Sequence, residues 1–85
     1  MKRPAWYVYM VRCQDFSLYT GISTDVENRV KAHNEKKGSR AVIAHGVPVS
    51  LVYLEEAVSY GDALRREAAI KRLKKKEKEA LIRKK

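Results

Sequence analysis

The sequence predicts an α+β domain in which a small three-stranded antiparallel sheet is flanked by helices, in the order ββαβαα. Three observations lead to it. Trp6-Tyr7-Val8-Tyr9-Met10-Val11 is dense in aromatic and β-branched residues, as strands are. Two later segments begin with a hydroxyl residue followed three positions on by an acid, Thr24-x-x-Glu27 and Ser59-x-x-Asp62, a pattern that opens helices. The chain has 85 residues, 45% of them hydrophobic, which is enough apolar material for one core and too little for two.

Leu18-Tyr19-Thr20-Gly21 reads as the second strand. The turn formers Asp15 and Ser17 lie between it and the first, so the two strands form a hairpin. The first helix starts at the Thr24 cap, with Asp25 and Glu27 at the positive end of its dipole, and Gly38 marks its stop. Residues 38–48 read as a loop, with Gly38, Gly46 and Pro48 breaking any pattern. Val49 to Leu54 is the third strand. A second helix runs from Tyr60 to Leu73 and a short basic third helix from Lys76 to Arg83. Residues 1–85 are read as a single domain, with a core over residues 5–73 and a basic helix and tail over 74–85.

Composition narrows the partners. The longest apolar stretch, Ala5 to Val11, ends at Arg12, far short of the ~20 residues a membrane span requires. Lys2 and Arg3 before it do not make a secretory signal, because the run carries three aromatics and no small-residue cleavage site follows. Cys13 is the one cysteine, which excludes an internal disulfide and a multi-cysteine zinc site and suits a reducing cytoplasm. Lys and Arg total 19 against 10 Asp and Glu, a net charge of +9. Most of that excess lies in residues 71–85, where nine cations face only Glu77 and Glu79. Such a segment is either a solvated helix end or an arm that contacts phosphates by displacing counterions. Nucleic acid is the first candidate partner and an acidic membrane surface the second.

Three placements bear on chemistry. With the hairpin paired symmetrically about Gln14, Tyr9 lies opposite Tyr19 and both phenols share one face; a pair that only packs is the plain alternative. On the first helix, Val26, Val30 and His33 form one stripe toward the sheet, with Arg29 at its edge. Either residue has an ordinary reading, His33 as a core histidine and Arg29 as a surface ion pair. On the second helix Glu67 falls between the apolar residues Leu64 and Ile70, beyond Ala63. A carboxylate there is either paired with Arg29 or another arginine, or is a metal ligand. Two phenols, a guanidinium, an imidazole and a carboxylate on a basic body fit phosphodiester hydrolysis. There arginine and a divalent ion can neutralise phosphoryl charge, and a base takes the proton of the attacking water. A tyrosine can be that base only where positive charge lowers its pKa. No spacing favours a nucleophile pair of Cys13 with His33 or His45.

These residues resemble the GIY-YIG nuclease family, its small single-domain bacterial members above all. Tyr7-Val8-Tyr9 and Tyr19-Thr20-Gly21 match the paired signature. Arg29 stands eight residues after Gly21, where the family keeps a helix arginine; His33 follows one turn later, and Glu67 lies on the later helix. The resemblance covers residues 5–73. Tyr7 replaces the first glycine of the signature, Thr20 replaces its second isoleucine, and Ile22 stands where repair-type members place a lysine. The loop Arg40-Ala41-Val42-Ile43-Ala44 is also more apolar than the family's.

The resemblance implies a cytoplasmic, divalent-metal-dependent endonuclease that cuts nucleic acid, DNA before RNA, by structure or damage, in repair or processing. It implies Tyr9 as base or water-positioner, Tyr19 as its partner at the phosphate and Arg29 as charge stabiliser. His33 would assist proton transfer, and Glu67 would be the ligand of one Mg²⁺ or Mn²⁺. Lys71, Arg72, Lys74, Lys75, Lys76 and Arg40 are the candidate nucleic-acid contacts, and the expected state is a monomer or weak dimer. The rival reading is a nucleic-acid-binding module that keeps the fold without turnover. A third is a protein that docks its basic helix on an acidic partner.

Overall fold

The computed structural model describes residues 5–84; Lys2, Arg3 and Lys85 of the basic set lie outside them. The elements are β1 (Trp6–Arg12), β2 (Leu18–Ser23), α1 (Val26–Asn34), α2 (Arg40–His45), β3 (Ser50–Ala57), α3 (Tyr60–Lys71) and α4 (Lys75–Arg83). The sheet is antiparallel in the order β2-β1-β3. The central strand β1 is covered on both sides, so Val8 to Val11 are all buried and the segment is apolar without alternation.

Helices cover both faces. On one, Tyr9 and Val11 pack with Val26, Val42 and Val49, under α1 and α2. On the other, Val8 and Met10 pack with Tyr53, Ala63 and Ile70, under α3. Leu81 and Ile82 of α4 close that second layer, so packed apolar structure continues past residue 73. The carboxylate of Glu79 holds both terminal nitrogens of Arg12 on β1, at 2.8 and 2.7 Å. Lys75 Nζ donates to the carbonyl of Phe16 at the hairpin tip at 2.9 Å. The basic segment is thus a docked helix rather than a loose tail.

Several local expectations change. The order is ββααβαα, because residues 40–45 of the expected loop form a short helix. Ser39 caps it, its Oγ accepting from the Ala41 N–H, and Val42 anchors it in the core. Asp25, not Thr24, caps α1 through the Asn28 N–H. Ser59 caps α3 through Asp62 N–H as the sequence predicts. Helix α1 ends at Asn34, and Lys36 takes the left-handed turn beyond it (φ 62°) that was expected of glycine. Leu64 is exposed rather than part of the apolar side of α3. The hairpin pairs Tyr9 with Gly21 and Val11 with Tyr19, two positions from the predicted register. A two-residue offset preserves side, so Tyr9 and Tyr19 remain on one face as diagonal neighbours.

Candidate active site

Tyr9 stands on β1 directly across from Gly21 on β2, and its ring lies over that glycine. A Cβ at position 21 would come within 2.6 Å of the phenol oxygen, so the glycine provides room for the ring. The phenol is buried, and its oxygen is 3.0 Å from His33 Nε2. His33 reaches it from α1 because Val26, Val30 and His33 turn one stripe of that helix to the sheet, as their spacing predicts. Tyr19 meets the His33 ring edge-on with centroids 5.4 Å apart.

Gly38, expected to stop α1, plays a spatial role instead. A Cβ there would come within 2.3 Å of His33 Nδ1, while its backbone does not lie in the left-handed region that demands glycine. The Tyr9–His33 pair is therefore held between two glycines, one against each ring. His33 Nδ1 is buried and has no hydrogen-bond partner among the described residues, whichever tautomer the ring adopts.

The electrostatics draw in the remaining residues. Burial raises the Tyr9 phenol far above its ordinary value, the fields of Tyr19 and Glu67 raise it further, and Arg29 alone opposes them. The phenol is thus protonated at neutral pH, contrary to the lowered value a tyrosine base requires. Burial lowers the pKa of His33, and Arg29 lowers it further, so the imidazole is neutral. Arg29 is exposed on α1 and acts on both members of the pair. Glu67 reaches the same phenol electrostatically from α3. Its carboxylate pairs with Lys71 one turn on at 3.4 Å, not with an arginine. Tyr19, Arg29, His33 and Glu67, from three elements, thus each act on Tyr9.

Glu67 is the carboxylate of this group. Among the described residues no three His, Cys, Asp or Glu side chains form a metal-binding cluster. One ligand fits an ion such as Mg²⁺, which keeps several waters and takes further oxygens from a substrate phosphate, and does not fit an all-protein cage. The candidate nucleic-acid contacts come from α2, the end of α3 and the start of α4. Arg40 is exposed at the start of α2, Lys71 pairs with Glu67, and Arg72 closes α3. Lys74 to Lys76 open α4 beside the hairpin tip. Residue patterns pointed to the five central groups; Gly38 carries no sequence signal beyond its five-residue distance from His33.

A three-stranded sheet with a tyrosine pair on adjacent strands, an arginine and a histidine on the first helix and a glutamate on a later one defines a GIY-YIG catalytic domain. The match to that family runs over residues 5–80, and the chain belongs to it, a family of nucleases. More narrowly, it is similar to proteins named UPF0213. It is 49% identical over 78 residues to one from Pseudomonas aeruginosa, covering 91% of this chain and 73% of that one. It is 44% identical over 77 residues to one from Cronobacter sakazakii, covering 91% and 80%. The solution NMR structure of a UPF0213 protein from Bacillus halodurans superposes with a TM-score of 0.61 at 38% identity, over 95% of this chain and 85% of that one. A second NMR structure, of a protein from E. faecalis, gives 0.66 at 32% identity, over 98% and 88%. No helix among the described residues is long and apolar enough to cross a membrane.

Proposed function

We propose that this protein is an endonuclease that hydrolyses phosphodiester bonds of nucleic acid, DNA in the first instance, at the site around Tyr9 to which Tyr19, Arg29, His33 and Glu67 contribute. The observation that carries this reading is the buried Tyr9–His33 hydrogen bond of 3.0 Å, with Tyr19, Arg29 and Glu67 all acting on the same phenol. Because Tyr9 keeps its proton, its role is to relay rather than to abstract as a phenolate. The Tyr9 oxygen accepts from the attacking water while its own hydrogen passes to the neutral Nε2 of His33. Tyr19 orients the phosphate beside it. Arg29 neutralises charge that gathers on the phosphoryl oxygens in the transition state. Glu67 would hold one Mg²⁺ or Mn²⁺, which supplies further neutralisation of that charge and cancels the carboxylate's push on Tyr9. Lys71, Arg72, Lys74, Lys75, Lys76 and Arg40 give sequence-independent hold on the backbone, suited to choice by structure or damage. Cytoplasmic repair or processing is the fitting setting, with the protein acting as a monomer or weak dimer.

The high pKa of Tyr9 favours one second reading, a binding module without turnover. Incubation with single-stranded, duplex, branched and nicked DNA in Mg²⁺ or Mn²⁺ separates the two. Cleavage that disappears in Glu67→Ala is the expected result. Binding without cleavage by the unmodified chain would favour the module.

A further inference from the structure

The β1–β2 connection runs over residues 13–17; the Cys13 N–H donates to the Ser17 carbonyl at 2.9 Å and leaves Gln14-Asp15-Phe16 as its tip, whose last residue has φ 70°. In hairpins of this kind the left-handed position is one that glycine fills without strain, and a bulky aromatic is an outlier there. Lys36, the other non-glycine residue with positive φ among those described, is accounted for as the residue that ends α1. Nothing in the packing accounts for Phe16, whose side chain is 70% exposed.

Its backbone is nonetheless fastened on every side. The Phe16 N–H donates to the Cys13 carbonyl at 3.0 Å. Its carbonyl accepts from Lys75 Nζ at 2.9 Å and from Arg12 at 3.4 Å. Asp15 accepts from the Ser17 N–H and hydroxyl and meets His45 Nδ1 at 2.6 Å. The Gln14 and Asp15 N–H groups donate to the carbonyls of Gly46 and His45. The turn thus presents one exposed ring from a fixed backbone. Around it, Asp15 is hydrogen-bonded to His45 and Glu79 is paired with Arg12, while Lys75 brings a cation to the turn with Lys74 and Lys76 on either side of it in the chain. The turn also leads within three residues to Tyr19.

We propose that Phe16 is a base-stacking residue, and that with the basic start of α4 it forms a binding surface for single-stranded or locally unpaired nucleic acid leading to the candidate site. An exposed ring beside a line of cations is what such ligands require: the ring takes the face of a splayed base and the cations take its phosphates. A paired duplex offers the phosphates without the free base face. This rests on the nucleic-acid reading above and names the form of strand it favours.

The test is binding in EDTA, where turnover plays no part, using a short single-stranded DNA carrying 2-aminopurine and the same sequence as a duplex. The full chain is compared with Phe16→Gly, Phe16→Trp and Lys76→Gln. Phe16→Gly should raise the melting temperature, since it relieves the turn. It should also weaken single-strand binding about tenfold, abolish the stacking quench of 2-aminopurine and leave duplex binding within about twofold. Phe16→Trp should keep the quench. Lys76→Gln should weaken both ligands alike and flatten the salt dependence by about one unit of slope. Equal effects of Phe16→Gly on single strand and duplex, or none on either, would overturn the role of Phe16 while leaving the nuclease reading intact. Failure of the unmodified chain to bind either DNA would overturn both.

Discussion

The two faces of one sheet are built to opposite rules, and β1 contributes alternate residues to each. Val8 and Met10 point into a layer closed by Ala63, Ile70, Leu81 and Ile82, apolar side chains that stabilise by burial. One strand position away, Tyr9 points to His33, a polar pair buried with an unpartnered Nδ1 and seated between two glycines. A buried polar group with an unmade hydrogen bond costs stability, on the order of 1–3 kcal/mol. The Met10 layer carries one such atom too, the Oγ1 of Thr20 opposite Met10, but no buried pair seated between glycines. On the proposed function the Tyr9 face is the side that works and the Ile70 face the side that holds.

The largest effect should come from the holding side. Ile70→Ala should destabilise by ~2–5 kcal/mol in urea unfolding, because a fully buried side chain is removed. Cleavage by the fraction that remains folded should be little changed. On the working side the pattern reverses. Tyr9→Phe should cost about 1 kcal/mol of stability, the worth of one hydrogen bond. Its kcat should fall about 100-fold, within the range of acid–base contributions, with KM little changed.

Gly38→Ala probes the seat of the pair. It should destabilise by ~1–3 kcal/mol through crowding of the imidazole. In a His33→Ala background the same change should cost close to nothing, since the ring it strikes is gone. Equal costs in both backgrounds would detach Gly38 from the site.

A smaller effect concerns pH. The folded pKa of His33 lies below its ordinary 6.5, so the unfolded chain binds more protons in the interval between the two values. Stability must then rise with pH across that interval and decline as pH falls below 6.5. His33→Gln should flatten this limb in denaturant titrations at successive pH. Asp15 gives a limb of the same sign at lower pH: its pKa of about 2 is depressed from 3.8 by Ser17 and His45, so its contribution is present above 3.8 and fades toward 2. The smallest change should be Arg12→Met, a partly exposed ion pair to Glu79 whose loss shifts the melting temperature slightly, and less at high salt.

Legibility in the sequence followed the range of the interactions involved. The strands, the Ser59 cap and the stripe of Val26, Val30 and His33 are short-range patterns, and the structure reproduces them. The hairpin register moved by two positions because the turn is not centred on Gln14: Gln14, Asp15 and Phe16 form its tip together. Helix α2 was hidden because Val42 is its one buried residue, too little for a visible period. The seating of α4 depends on Arg12 meeting Glu79 across 67 residues, which no local pattern contains. The five residues grouped around Tyr9 were legible as a family spacing. Their electrostatic state was not, because the pKa of Tyr9 is set by burial.

The account stands most directly on Tyr9 and His33 acting as one proton-relaying unit, and a double-mutant cycle on kcat measures that. Tyr9→Phe, His33→Ala and the combination should each lower kcat by a similar factor, since either change breaks the same relay. If the two losses instead multiply in the combined variant, the residues act independently and the relay is contradicted.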